Sequence, residues 1–146
     1  MPNAFAKEQR EIFLKIIWSM LNTPYIYGGF QPEHGIDCSG MVVEGCRAVA
    51  KIKPKEDFNA QGFWDLWSPN FQVDKPLPGA LAFWFNELGH CYHVAVCISE
   101  NFCMTADGGS SEVDTLPEAT AKDARVKIRH VNHRKTFPKF VDIFRE

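Results

Sequence analysis

Cys38 stands in the run Gly35-Ile36-Asp37-Cys38-Ser39-Gly40, where a loop gives way to an apolar segment. The attacking species of a thiol enzyme is the thiolate, and a free cysteine, with a pKa of about 8.5, supplies little of it at neutral pH. A sulfur at a helix N-terminus is helped by unpaired backbone N–H groups and by the helix dipole, both of which favour negative charge. Asp37 is a good N-cap residue, and the apolar helix predicted from Ser39 begins just past the cysteine. Ser39 and Gly40 are small, so the N–H groups of the first turn stay open to a developing oxyanion. The pattern fits a nucleophile for acyl transfer; a plain buried cysteine is the other reading of the same local context. Such a nucleophile needs an imidazole as base, and the five histidines offer His34, His90, His93, His130 and His133.

Several elements must position these groups. From about Ala6 to Leu21 the apolar residues Ile12, Phe13, Ile16, Ile17, Met20 and Leu21 form one face of an amphipathic helix. Asn22-Thr23-Pro24 stops it, because proline disfavours a helical residue before it. A glycine-rich turn, Gly28-Gly29 through Gly35, then carries the chain to Cys38. The second helix is predicted from Ser39 to about Lys51, ended by Pro54, and Asn59 to Trp67 reads as a short aromatic-faced helix. In the second half, Leu81–Phe85, Tyr92–Ile98 and Phe102–Ala106 are short, apolar and bounded by turn residues, as strands are. Ser99-Glu100-Asn101 forms the tight turn of a hairpin. Arg125–Val131 alternates charged and apolar residues as a half-buried strand does, and Phe140–Phe144 closes the sheet. Helices first and antiparallel strands afterwards make an α+β domain. Cys46 on the second helix, and Cys91, Cys97 and Cys103 in strand-like surroundings, read as core.

Composition narrows the partners. A chain of 146 residues fits one domain, residues 1–146, with 45% apolar and 13% aromatic residues to build a core. Its formal net charge of -2 lacks the basic excess of a nucleic-acid binder. Five cysteines, an odd number without paired spacing, point to a reducing compartment. Met1 to Arg10 shows no secretory signal, and the apolar stretch Ile12–Leu21 is too short, and interrupted by Lys15 and Ser19, to insert in a membrane. The expectation is a protein that is cytoplasmic as synthesised.

With these residues in view, the chain resembles the NlpC family of bacterial cell-wall cysteine peptidases, from roughly Glu8 to Ala106. Thr23-Pro24-Tyr25-Ile26-Tyr27-Gly28-Gly29 is similar to the family's Thr-Pro-Tyr-x-Tyr/Trp-Gly-Gly, and Gly35 to Gly40 matches its nucleophile motif. Pro78-Gly79-Ala80-Leu81-Ala82-Phe83-Trp84 resembles its Pro-Gly-Asp-Leu-x-Phe-Phe strand, with alanine where aspartate is usual. His93-Val94-Ala95-Val96 resembles His-Val-Gly-Ile, which carries the base. The resemblance implies a papain-like α+β fold with N-terminal helices, one carrying the nucleophile, packed on an antiparallel sheet. It implies Cys38 as nucleophile, His93 as base, and hydrolysis of an amide bond in the peptidoglycan stem peptide, typically between D-glutamate and a diamino acid. Tyr25 matches a family tyrosine beside the nucleophile and, with Ser39, is assigned to orienting or binding substrate.

The family's third catalytic residue, most often histidine, falls twelve positions after the base, where this chain has Thr105. Threonine can accept a hydrogen bond from the imidazole but brings no charge. Strand residues two apart point to the same side, so Asp107 shares a face with Thr105 and stands as an equal candidate. A register slip of one residue would reverse that placement. An ordered water, a bare dyad, or His130 or His133 from a neighbouring strand are the remaining options.

His90-Cys91-Tyr92-His93 with Cys97 and Cys103 also contains soft ligands that suit zinc. On a regular strand Cys91, His93 and Cys97 lie on one face, yet residues spread along a strand converge poorly, so no metal and no cofactor is expected. The reading is a cysteine peptidase acting on peptidoglycan stem peptides after release or injection, as a phage endolysin or tail-associated lysin. A phage tail or an immunity protein fits as a further partner. The competing readings are a binding or assembly module on the same scaffold, and a thiol amidase or acyltransferase on another γ-glutamyl or lipid substrate.

Overall fold

The structure is a computed structural model that describes residues 4–31, 35–107 and 115–145. Helix α1 spans Ala4–Ser19 and buries Phe13 and Ile17, while Ile12 on the expected inner face is exposed. The chain leaves the helix through tight turns from Met20 to Ile17 and from Leu21 to Trp18, and Asn22 takes a positive φ of 72°. The reversal therefore comes before Pro24 acts.

A two-residue pair, β1 (Phe30–Gln31) with β2 (Gly35–Ile36), leads into helix α2, Cys38–Ala48. That helix starts one residue before the expected Ser39 and ends ahead of Lys51, at a reversal where Ala50 has a φ of 60°. Met41, Val42, Val43 and Cys46 are buried. Gly45 lets α1 pack close, since a methyl there would sit 2.7 Å from the Phe13 ring. Helix α3, Ala60–Phe71, runs past the expected Trp67 and holds Pro69 in its last turns. Asn59 caps its start by accepting the Gly62 N–H at 2.7 Å.

The main sheet is antiparallel throughout, in the order β3 (Gln72–Val73), β8 (Lys139–Val141), β4 (Leu81–Phe85), β5 (Cys91–Cys97), β6 (Phe102–Asp107), β7 (Arg125–His130). A short helix α4, Leu116–Ala121, precedes β7. The expected strand over 140–144 stops at Val141. Asp142 there turns inward, taking the Phe144 N–H and an ion pair from Arg10 at 2.9 Å. Alternation divides the sheet into two packed faces. Leu81, Phe83, Val94, Val96 and Met104 meet the helices, whereas Ala82, Trp84, Ala95, Cys97 and Cys103 form a second layer with Val131.

Two irregularities in the sheet lie next to His93. In the β4–β5 pairing, Trp84 faces His93 but Phe85 faces Cys91, so Tyr92 is an extra residue, a β-bulge. The β5–β6 ladder pairs only Val96 with Met104 and Cys97 with Cys103. His93 and Thr105 therefore lie beyond its paired end.

Candidate active site

The site is built from the α2 N-terminus, the Gly28-Gly29 turn and the bulged start of β5. Asp37 fastens the first two together. One carboxylate oxygen accepts the Gly40 N–H at 2.7 Å and the other accepts the Gly28 N–H at 3.0 Å, while the Asp37 N–H donates to the Gly29 carbonyl at 2.9 Å. Gly28 takes a φ of 74°, which glycine adopts without a Cβ penalty. Burial raises the Asp37 pKa, opposed by the N–H groups of Gly40 and Gly28. Cys38, the first residue of α2, is half-buried, whereas Cys46, Cys91, Cys97 and Cys103 are buried and all five are free.

The Cys38 sulfur lies against the backbone N–H groups of Val94 and Ser39. Burial pushes its thiol up to about 11, the Val94 amide pulls it down, and the Asp37 carboxylate adds to the rise. The helix-start placement thus provides donors for an anion without leaving the resting sulfur ionised.

His93 is buried, with its ring beside Trp84 at 5.4 Å between centroids. Its Nε2 is 2.6 Å from the Thr105 hydroxyl, which is itself fully buried. For Nδ1 to take a proton from sulfur, Nε2 must carry the hydrogen and Thr105 must accept it. Burial lowers the His93 pKa well below the usual imidazole value, and the charge of Arg134 lowers it further. Among the described residues no hydrogen bond runs directly between Cys38 and His93. Catalytic hydrogen bonds in ligand-free sites are often long and tighten when substrate arrives.

The two candidates for a third residue part company here. Thr105 and Asp107 share the His93 face, but only Thr105 touches the imidazole. Asp107 is drawn to two arginines, Arg129 at 2.8 Å and Arg134 at 3.0 Å. His133 packs edge-on against Trp84 and donates from Nδ1 to the His130 carbonyl, while His130 accepts the Asn132 N–H. Neither hydrogen-bonds His93. His90 is exposed ahead of β5, and His34 lies outside the described residues.

The bulge also undoes the shared face expected of Cys91 and His93. Cys91 packs into the helix-side core and His93 into the layer of Trp84. Among the described residues no three histidine, cysteine or carboxylate side chains converge as metal ligands. Tyr25 is buried beside Cys38; burial first, then the Cys38 and Asp37 charges, raise its pKa far above the ordinary phenol value. Ser39 lies 3.4 Å from Asp37 and lines a cleft of about 330 Å³ with Gly28, Gly29, Asp57 and Asn59. On the His93 side, Tyr92, His133, Arg134 and Lys135 line a second cleft of about 480 Å³. Sequence reasoning missed Trp84 and Arg134 as neighbours of His93. Trp84↔His93 is the last regular pair of the β4–β5 ladder before the bulge, and Arg134 comes from an irregular segment.

A thiol held near 11 beside a neutral imidazole has a measurable signature. Iodoacetamide applied to the folded protein should modify Cys38 alone, at a rate that follows thiolate formation toward an alkaline midpoint. Peptide mass spectrometry locates the label. A rate already on its plateau at pH 6 would instead mean a preformed thiolate–imidazolium pair.

A cysteine at a helix N-terminus, packed on an antiparallel sheet that carries a histidine, is the arrangement of a papain-like α+β fold. The chain belongs to the NlpC/P60 family, whose pattern it matches over residues 22–135. Comparison with curated protein sequences finds no match. Among solved structures it is similar to the P60 domain of antigen MAP1204 of M. avium subspecies paratuberculosis, at 17% identity and a TM-score of 0.70, covering 98% of this chain and 100% of that one. It is also similar to the peptidoglycan hydrolase RipB of Mycobacterium tuberculosis, at 21% identity and a TM-score of 0.69, covering 100% and 70%. The NlpC/p60 domain of the peptidoglycan hydrolase SagA gives 20% identity and a TM-score of 0.61, covering 91% and 97%.

Proposed function

We propose that this protein is a cysteine peptidase that hydrolyses an amide bond of the peptidoglycan stem peptide, at the γ-D-glutamyl–diamino acid junction. The observation that carries the reading is the buried His93–Thr105 hydrogen bond, which fixes a neutral imidazole next to the residue whose amide meets the Cys38 sulfur. Membership in the NlpC/P60 family, and the similarity to RipB and SagA, both peptidoglycan hydrolases, support the choice of substrate.

The chemistry follows from the protonation states. Cys38 and His93 rest as thiol and imidazole, so His93 Nδ1 removes the thiol proton as sulfur attacks the carbonyl carbon. Charge moves to the carbonyl oxygen, which the N–H groups at the start of α2 are placed to receive. The imidazolium then gives its proton to the departing amine, leaving an acyl-thioester on Cys38. Water, deprotonated by the same imidazole, releases the acid and restores the thiol.

Thr105 acts through His93, as a positioning residue. Thr105→Val keeps the shape and removes the acceptor, leaving Nε2–H buried without a partner at a cost of about 1–3 kcal/mol. A fall in kcat of roughly 10–100-fold with little change in KM is expected from steady-state kinetics.

Mass spectrometry of muropeptides after digestion of purified peptidoglycan tests the function and names the bond. New amine termini on the diamino acid, paired with free γ-carboxyls on D-glutamate, are the expected products. An unchanged muropeptide profile would overturn the reading.

A further inference from the structure

We propose that Arg134 is the anion-binding residue of the cleft beside His93, and that it receives a carboxylate carried by the leaving-amine half of the substrate. The proposal rests on the peptidase reading and adds a specificity determinant to it.

Arg134 follows β7 in an irregular segment, yet its guanidinium is firmly held. It lies over the rings of Trp84 and Tyr92, at 5.7 and 5.6 Å from their centroids, and Nη2 donates to Asp107 at 3.0 Å. Stacking on two aromatic rings and one ion pair removes most of the side-chain freedom that binding a ligand would otherwise cost. Among the described residues the Asp107 bond is the only hydrogen bond the guanidinium makes, of five N–H groups that arginine offers.

The charge count leaves a cation over. Asp107 is shared between Arg129 and Arg134, so one carboxylate faces two guanidinium groups. Lys135 and Arg134 both line the cleft, against the single acid Glu87. The cleft lined by Ser39 carries instead the acids Asp37 and Asp57. The two clefts differ in the sign of the charges that line them.

Position assigns the substrate half. His93 protonates the departing amine, so the leaving half lies on the His93 side. Arg134 reaches that side through Trp84, whose indole touches both the guanidinium and the imidazole. A role in holding the dyad as an ion pair does not fit. A fixed cation favours the Cys38 thiolate but disfavours the His93 imidazolium, and the charge of Arg134 lowers the pKa of both groups. The species it favours is a net anion, and a substrate carboxylate is one.

The test uses L-alanyl-γ-D-glutamyl-L-lysine with its C-terminus either free or amidated, on the full chain. The native protein should show a KM about tenfold lower for the free acid, with similar kcat, as a charge-assisted contact warrants. Arg134→Gln should bring KM for the acid to that of the amide, while loss of the Arg134 charge at Cys38 and His93 acts on both peptides alike; Arg134→Lys should keep part of the preference. Because the amide reports on folding and chemistry, a variant that is merely damaged loses both substrates together. A preference for the free acid that survives in Arg134→Gln would overturn the assignment. Binding of the same peptides to Cys38→Ala, followed by NMR titration, separates this proposal from the reaction. No turnover with a carboxylate preference that Arg134→Gln erases would retain Arg134 and sink the peptidase reading. Equal binding of acid and amide would sink the role of Arg134.

Discussion

Cys38→Ala should abolish release of stem-peptide fragments, a loss of roughly 10⁴-fold or more, while leaving the fold unchanged. The sulfur is half-buried, and its neighbours are backbone amides that water can satisfy when it is gone. Removal should therefore alter stability by no more than about 1 kcal/mol. His93→Ala should lose a comparable amount, because a thiol near pKa 11 generates almost no nucleophile without a base. The double variant should be scarcely worse than either single one, since both residues serve the same attack. Muropeptide release, measured beside a thermal melt, decides the point. Cys38→Ala with native activity would end the thiol mechanism, and a double variant much slower than either single one would mean the two residues work independently.

How far the sequence revealed this site differs from group to group. The helix-start placement of Cys38 was legible because its requirements are local: an N-cap aspartate, a helix start and small residues after the cysteine all appear within Gly35 to Gly40. The bounds of β4 were legible as well, since Leu81–Phe85 begins and ends where its apolar run does. The hydrogen-bond partner of His93 was not, although the shared face of Thr105 and Asp107 was correctly read. What separates them is a competition decided outside their own strand, in which Arg129 and Arg134 claim Asp107 and leave Thr105 for the imidazole. Guanidinium groups arriving from β7 and the segment after it have no signature in strand periodicity. The bulge at Tyr92 escaped for a related reason. One inserted residue changes the face of everything on one side of it, and nothing in Cys91-Tyr92-His93 marks the insertion. The pairs β1–β2 and β3–β8 are too short to carry any period. α2 ended early because Ala50, rather than Pro54, takes the reversal.

Gly40→Ala should be the most damaging substitution outside the reacting groups. A methyl at that position would run into the carbonyl oxygen of Gly29 and the Asp37 carboxylate. These are the two groups that bind the glycine turn to the start of α2, through the Asp37 N–H to Gly29 and the Gly40 N–H to Asp37. Gly29 offers backbone rather than a flexible side chain, so the clash is relieved only by moving the turn away from the helix. That movement breaks the cap and displaces the N–H groups meant for the oxyanion. A destabilisation of about 2–4 kcal/mol is expected, with a fall in Tm of roughly 5–15 °C. Activity should drop by at least about 100-fold even below the new Tm, because the donors are no longer aimed at the carbonyl. Gly28→Ala provides the contrast. No atom lies within 4 Å of a methyl at Gly28, so only its φ of 74° opposes alanine, at a cost of about 1–2 kcal/mol. Gly28→Ala should therefore lose some stability and keep most of its activity. Thermal melts and initial rates on both variants separate the two effects. Equal losses in the two would mean that glycine's backbone freedom, rather than the approach of Gly40 to Gly29, is what the helix start requires.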